Sequence, residues 1–165
     1  MKIQDKRFNY VLFSAIIENM NTVTIKYQAK EGVKIPEYKT KGSAGADICA
    51  FIDQNIVLLP GKRAMVPTGL FTEIPEGYEI QVRPRSGLAA KNGVTVLNTP
   101  GTIDSDYRGE ICVILINLGE EAFTIHNGDR IAQIIVAPVT QGIFEAAEKL
   151  EDSQRGSGGF GSTGV

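Results

Sequence analysis

Residues 109–139, GEICVILINLGEEAFTIHNGDRIAQIIVAPV, contain two runs rich in isoleucine, valine and leucine, with glycines between them. β-Branched residues suit a pleated strand, and glycine is typical of the turns that separate strands. Similar short apolar runs occur upstream, at residues 22–28, 45–51, 55–60, 63–75, 78–84 and 94–98. Short strands at this fairly regular spacing predict an all-β domain, either a sandwich or a closed barrel, and not a βαβ fold.

One internal stretch favours a helix. Residues 86–93, SGLAAKNG, are short and alanine-rich. Serine is a common helix N-cap and glycine commonly follows a helix end, so Ser86 is the predicted cap and Gly93 lies beyond the predicted end.

The bulk composition is that of a globular protein. The chain has 165 residues, 42% of them hydrophobic and 22% charged, with a net charge of -2. This length predicts one domain, and this charge predicts no broad nucleic-acid surface. No apolar run approaches the ~18 residues of a membrane span. Cys49 and Cys112 have no C-x-x-C spacing, which favours reduced core thiols in a cytoplasmic protein, with a disulfide as the alternative.

The two ends of the chain differ from its middle. Residues 1–19 are predicted to be an N-terminal extension, with disorder and an alternative start at Met20 left open. A basic start before an apolar stretch resembles a signal peptide faintly, but no A-x-A cleavage site follows. Residues 20–140 are the predicted β domain. Residues 141–165 are polar and then glycine-rich, which predicts a flexible arm.

The glycine-rich stretch at residues 155–164, RGSGGFGSTG, matches G-x-G-x-x-G. A dinucleotide-binding or kinase loop needs further structure downstream, yet only four residues follow Gly161. Glycines let backbone amides approach phosphate oxygens, and Arg155 adds a cationic fork. From this stretch alone, a disordered tail and a phosphate-binding loop both stay open.

Five motifs occur in order along the chain: AGADICA at 44–50, RPRSGLA at 83–89, NTPGTIDSDYRGEI at 98–111, GDRIAQIIV at 128–136 and RGSGGFGSTG at 155–164. In this order and spacing they resemble those of the trimeric deoxyuridine triphosphate nucleotidohydrolases, the dUTPases. The resemblance covers the chain from Thr22 to Gly164.

The resemblance implies a fold and an activity. The fold would be the jelly-roll-like β-clip of dUTPases, in a homotrimer with active sites shared between subunits. The reaction would be hydrolysis of dUTP to dUMP and pyrophosphate, with Mg²⁺ bound to the triphosphate. It would limit uracil incorporation into DNA and supply dUMP for dTMP synthesis. No nucleic-acid or membrane partner is expected.

The resemblance also implies roles for particular residues. Asp104 matches the general base that activates a water for in-line attack on the α-phosphorus, Tyr107 matches the ring under the deoxyribose, and Asp47 matches a carboxylate that supports the magnesium through water. The other implied substrate-binding residues are Arg85, Ser86, Gly87, Asn98, Gly101, Thr102, Ile103, Gln133, Arg155, Phe160, Gly161, Ser162 and Thr163. Taken singly, an aspartate or asparagine in such a loop is also a common turn residue.

Two other functions are alternatives. A dCTP deaminase shares the fold, but that enzyme needs a glutamate-based deamination site and a C-terminal segment different from the one in this sequence. A non-catalytic nucleotide-binding regulator is the second alternative. Ser86 is not expected to act as a nucleophile, because the single histidine, His126, lies in the predicted turn IHNGD.

Overall fold

The computed structural model describes residues 22–159 and consists almost entirely of β-structure. Within this range it has ten strands and one helix. Their bounds are β1 Lys26–Ala29, β2 Ala46–Cys49, β3 Ile56–Leu58, β4 Arg63–Glu73, β5 Tyr78–Arg83, α1 Ser86–Asn92, β6 Val94–Val96, β7 Gly101–Ile103, β8 Glu110–Asn117, β9 Phe123–Ile125 and β10 Arg130–Pro138. The predicted all-β class with one short helix is confirmed.

The strands form two four-stranded sheets and one two-stranded sheet. The first sheet has the order β1-β4-β8-β6, the second has the order β2-β10-β5-β7, and β3 pairs with β9. Every pairing is antiparallel. Buried side chains from all three sheets join one hydrophobic core. Among residues 22–159, no helix has both the length and the apolar composition that a membrane span requires.

Strand β8 shows how the sequence builds this core. Its residues alternate between buried and half-buried, as expected when one face of a strand packs inward. Asn117 ends the buried series, and its Nδ2 donates hydrogen bonds of 2.8 Å to the carbonyl oxygens of Leu58 and Glu121. A buried amide is tolerated because its polar atoms are paired. The inward side chains are Ile111, Val113, Leu115 and Asn117.

Strand β4 contains an irregularity centred on Gly69. Its register against β8 shifts between Pro67 and Phe71. Gly69 has φ +67°, and a Cβ there would lie 2.5 Å from the Val33 side chain. The Gly69 N–H donates to Oε1 of Glu110 at 2.7 Å. The bulge therefore requires glycine for both backbone conformation and space, and Glu110 pairs its free amide.

The first sheet also presents apolar side chains on the side away from the core. Met65 pairs in register with Ile114, and Pro67 pairs with Cys112. Met65 is 68% exposed, whereas Pro67, Cys112, Ile114 and Ile116 are half-buried. We call these five residues the outer apolar face.

The first strand is shorter than predicted. The sequence predicts a strand over residues 22–28, but β1 covers only Lys26–Ala29, and residues 22–25 form no strand. Lys26 pairs with Glu73, which is the last residue of β4. Residues before Lys26 therefore have no partner strand beside them, and the alternating pattern alone does not extend β1.

The third motif carries the chain between the two four-stranded sheets. Strand β6 lies in the first sheet beside β8, whereas β7 lies in the second sheet beside β5. Residues 97–109 thus carry the chain from the first sheet to the second and back. Local turn signals alone do not reveal this, because the pairing of β7 depends on a distant strand.

The chain beyond β10 has a different character. Residues 141–159 contain no helix or strand. Ile143 and Phe144 are 98% and 101% exposed. The described part of the predicted arm therefore packs little of itself against the β domain, and its boundary at residue 141 stays a prediction.

Candidate active site

The first polar cluster lies where β2, β10 and β5 meet. Asp47 pairs in register with Gln133, which pairs in turn with Arg83 at the end of β5. The Asp47 carboxylate contacts Arg85 Nε at 3.1 Å and Arg130 Nη1 at 3.0 Å, one oxygen to each. Two guanidinium groups against one carboxylate leave a net positive charge, which attracts an anion.

Additional bonds make this cluster rigid. Arg85 Nη1 donates to the carbonyl oxygen of Arg130 at 2.7 Å. Gln133 Nε2 donates to the carbonyl oxygen of Pro84 at 2.9 Å. A Cβ on Gly45 would overlap the Gln133 side-chain oxygen. Glycine at 45 thus gives Gln133 its space, and the sequence-predicted residues Asp47, Arg85 and Gln133 are brought together.

Helix α1 starts directly beside this cluster. Arg85, with φ −97° and ψ 127°, is the N-cap residue and makes no side-chain cap bond. The predicted cap at Ser86 is therefore one residue off, whereas Gly93 ends the helix with φ 68° as predicted. Ser86 and Gly87 are exposed in the first turn, where backbone amides lack intrahelical partners and can bind an anion.

The segment from Asn98 to Ile103 leads into β7. Asn98 is exposed and Gly101 is buried. A Cβ on Gly101 would lie 3.1 Å from the Asn98 side-chain nitrogen, so the loop is tight at this point. Thr102 is exposed and Ile103 half-buried, which leaves Thr102 on the accessible side of the edge strand.

Asp104 and Tyr107 form the two ends of a turn. The Tyr107 N–H donates to the carbonyl oxygen of Asp104 at 3.2 Å. Arg108 Nη1 braces the turn by donating to the carbonyl oxygens of Ser105 at 2.7 Å and Tyr107 at 2.9 Å. Among residues 22–159, no hydrogen bond or ion pair engages the Asp104 carboxylate. The Asp104 side chain is exposed and can accept a hydrogen bond from a bound water.

Asp104 lies on a groove with a volume of about 970 Å³. Thr102 and the start of β5 form one wall, and the end of β10 with the first arm residues forms another. The acidic residues along it are Glu76, Glu79, Asp104 and Asp106. The groove is therefore open and polar, and a phosphate group there would need cationic partners from elsewhere.

Asp104 and Arg85 lie near opposite ends of β5. Ile103 pairs with Ile80 in the antiparallel ladder, so the next residue, Asp104, lies near Glu79. Arg85 lies six positions further along the chain, which corresponds to roughly 20 Å of extended backbone. The chain thus holds Asp104 and the anion-attracting cluster apart.

The arm contributes one described site residue. Arg155 Nε donates to the carbonyl oxygen of Gly158 at 2.8 Å within a local turn, where Gly156 has φ +53°. Phe160, Gly161, Ser162 and Thr163 lie outside the described residues.

The cysteines and the histidine have no evident role in the chemistry. Cys49 and Cys112 are free, and burial raises the pKa of both thiols, which makes them poor nucleophiles. His126 is exposed in a turn with Asp129, whose carboxylate accepts from the His126 N–H at 2.8 Å. The expectation of a loop histidine is confirmed.

Two residues with contacts near the site were not predicted from the sequence. Arg130 is not among the site residues that the resemblance implies, yet it pairs with Asp47. Glu110, which accepts from Gly69 and Lys30, is also outside that set. Neither partner is local, so no spacing signal could have found them.

Together, the anion-attracting cluster, the tight loop and the exposed Asp104 carboxylate lie on an all-β core, an arrangement that suits a phosphorylated ligand. The family model described as dUTPase matches residues 31–164. The chain therefore belongs to the dUTPase family, as the five motifs predict.

Curated relatives agree with this family. The deoxyuridine 5'-triphosphate nucleotidohydrolase of Treponema denticola is 60% identical over 136 residues, which are 82% of this chain and 94% of that protein. The protein of the same name from Chlamydia pneumoniae is 59% identical over 144 residues, which are 87% of this chain and 99% of that protein. The predicted enzyme class, a dUTP hydrolase, is confirmed at this level.

Solved structures share the fold. A mutant of the Staphylococcus bacteriophage 80alpha dUTPase with dUpNHpp has a TM-score of 0.78 at 27% identity, covering 87% of this chain and all of that chain. A mutant dUTPase from phage phi11 of S. aureus, described with a structural Mg(II) ion, has a TM-score of 0.70 at 24% identity, covering 79% of this chain and all of that chain. The second likeness supports the fold alone.

Proposed function

We propose that this chain hydrolyses dUTP to dUMP and pyrophosphate through a water that Asp104 orients and deprotonates for in-line attack on the α-phosphorus. The observation that carries the assignment is a contrast between two acidic residues. Both oxygens of Asp47 are engaged by arginines, whereas the Asp104 carboxylate has no partner among the described residues. A general base needs a carboxylate that is free to take a proton.

The nucleoside is held by the third motif. The loop from Asn98 through Gly101, Thr102 and Ile103 reads the uracil edge, and its tightness excludes larger or differently paired bases. The Tyr107 ring packs under the deoxyribose and leaves no space for a 2′-hydroxyl. Selection by such a clash is effective because the unwanted substrate gains no compensating contact.

The phosphates are held by the second and fourth motifs. Arg85 supplies a planar cation already oriented by Asp47, and the first-turn amides at Ser86 and Gly87 supply further donors. Gln133 lies beside Arg85 with its amide fixed on Pro84. Preorganised donors stabilise the developing charge without reorganising during the reaction.

The arm closes the site. Arg155, Ser162 and Thr163 hold the phosphates with the amide of Gly161, and Phe160 covers the uracil. Closure excludes bulk water and aligns the triphosphate.

The active form is a homotrimer with shared sites. In one subunit roughly 20 Å of extended backbone, from Glu79 in β5 to Arg85 beyond its end, separates Asp104 from Arg85, too far for both to act on adjacent phosphates. The cluster of a neighbouring subunit supplies the missing cations. The outer apolar face, exposed at Met65, is a surface that association would bury. Oligomer mass measured by sedimentation tests this.

Magnesium fits as a cation that the substrate carries. Residues 22–159 contain no group of three side chains that could hold a metal directly. Asp47 uses two of its roughly four lone-pair sites on the arginines, so it can still accept from a metal-bound water. When bound, Mg²⁺ would neutralise phosphate charge, while Asp47 and Arg85 orient the same triphosphate.

The reaction in the cytoplasm would limit uracil incorporation into DNA and supply dUMP for dTMP synthesis. Incubation with dUTP, dCTP and dTTP, with pyrophosphate and ammonia measured separately, tests the assignment. Pyrophosphate from dUTP alone is expected. Ammonia from dCTP would favour the deaminase, and binding without turnover would favour the regulator.

A further inference from the structure

We propose that Glu110 is a positioning residue that fixes the Tyr107 ring and thereby sets the preference for dUTP over UTP. The inference rests on the proposed function, in which Tyr107 packs under the deoxyribose. Glu110 is the first residue of β8, and its carboxylate contacts Lys30 and Gly69, which belong to two other segments of the chain.

Tyr107 is held at two points. Its N–H donates to Asp104, and its hydroxyl donates to the carbonyl oxygen of Glu110 at 3.0 Å. The ring lies directly over Gly109, where a Cβ would be 2.3 Å from the Tyr107 oxygen and 2.4 Å from Cζ. Tyr107 is nevertheless 44% exposed. The ring therefore rests on the backbone and keeps surface available for a sugar.

The Glu110 carboxylate is anchored in turn. Oε1 accepts from the Gly69 N–H at 2.7 Å, and Oε2 accepts from Lys30 Nζ at 2.8 Å. The side chain is only 20% exposed. Partial burial raises the pKa of the carboxyl, but the bonds from Lys30 and Gly69 outweigh burial and hold the pKa below its ordinary value. Glu110 is thus charged at neutral pH.

This anchor matters because strand pairing is interrupted at that point. The β4–β8 register runs to Pro67↔Cys112 and resumes only at Phe71↔Glu110, across the bulge. The side chain of Glu110 therefore spans the bulge and holds the first residue of β8 in place. Its own carbonyl oxygen, which receives the Tyr107 hydroxyl, is fixed by the same anchor. Loss of the carboxylate would free the ring to yield to a 2′-hydroxyl.

The test measures kcat/KM for dUTP and for UTP and takes their ratio. Glu110→Ala and Tyr107→Phe are each expected to lower the ratio about fivefold to tenfold, the range set by one hydrogen bond. Glu110→Gln is expected to keep most of it, because an amide oxygen still accepts from Gly69. The double variant should lose no more than either single variant, since the Glu110 side chain acts only by fixing the carbonyl oxygen that the Tyr107 hydroxyl binds.

Val113→Ala is the matched control. It weakens the same strand from the buried face and lies at a position that pairs with Val66, outside the bulge, so it should keep the wild-type ratio. An unchanged ratio in Glu110→Ala, an equal loss in Val113→Ala, or additive losses in the double variant would each overturn the inference. Failure of the proposed function is distinguishable: the wild type would not hydrolyse dUTP, or Tyr107→Ala would keep the wild-type ratio.

Discussion

Replacing Asp47 by asparagine separates two roles that its position allows. The carboxylate holds Arg85 and Arg130 at 3.1 and 3.0 Å, and it is also the residue expected to support magnesium through water. Asparagine keeps the shape and one acceptor oxygen but removes the charge. Because the direct ion pairs are short and the Asp47 side chain is only 19% exposed, we expect orientation of the arginines to be its larger contribution.

The expected loss follows from these contacts. A charge-assisted hydrogen bond contributes roughly 1.5–3 kcal/mol, and a fully buried pair somewhat more. Arg130 is 51% exposed, which discounts its share, and asparagine retains one neutral bond. The free energy of unfolding should therefore fall by about 2 kcal/mol. A misdirected Arg85 should raise KM for dUTP about tenfold, because one lost phosphate contact of ~1.4 kcal/mol corresponds to a factor of ten.

Urea unfolding at fixed protein concentration and a magnesium titration of pyrophosphate release measure the two roles. Asp47→Asn should lose stability and raise KM, with little change in the magnesium concentration at half-maximal rate. Glu73→Gln is the matched control, since its ion pair with Lys26 is exposed and outside the site. Unchanged stability with a several-fold greater magnesium requirement would refute the reasoning and assign Asp47 to the metal instead.

Three more outcomes are expected. Asp104→Asn should lower kcat by at least ~10²-fold while dUTP binding stays measurable by calorimetry, since general base catalysis is worth about that much; retained turnover would remove Asp104 from the base role. Truncation after Gln154 should nearly abolish activity yet leave the oligomer mass unchanged, and full activity would make the arm dispensable. The wild type should lose part of its stability advantage over Glu110→Gln on acidification. The pKa of Glu110 is lower in the folded than in the unfolded chain, so its carboxylate stabilises the fold at pH values above the unfolded-state pKa. This stabilisation is lost as the pH falls through the folded-state pKa. Urea unfolding at neutral and acidic pH checks this, and a constant difference would contradict it.

Local patterns were sufficient for most strands. The alternation of β8 and the apolar run of β10 are visible in the sequence because side-chain burial has the period of the strand itself. The predicted start of β1 was wrong because the length of β1 is limited by its partner strand β4, whose last residue is Glu73. A pattern in one segment contains no information about where its partner ends.

The site divides in the same way. The motifs identified Asp47, Arg85 and Asp104, but not the ion pair between Asp47 and Arg85 or the separation of Asp104 from both. Arg130 is 83 residues from Asp47 in sequence, and Glu110 is 41 residues from Gly69. Such pairs form only when the sheet register brings distant strands together, so single-sequence reasoning had no signal for them.

The separation of Asp104 and Arg85 has a consequence for oligomers assembled from two different variants. In the proposed homotrimer, Asp104 and Arg85 of one site come from different chains, so a chain altered at one of these residues still carries the other. Mixing two inactive variants, one altered at each residue, would then assemble some sites with both functions intact. Each active site would need residues from two chains. A chain defective at one residue would therefore be partly rescued by a chain defective at the other.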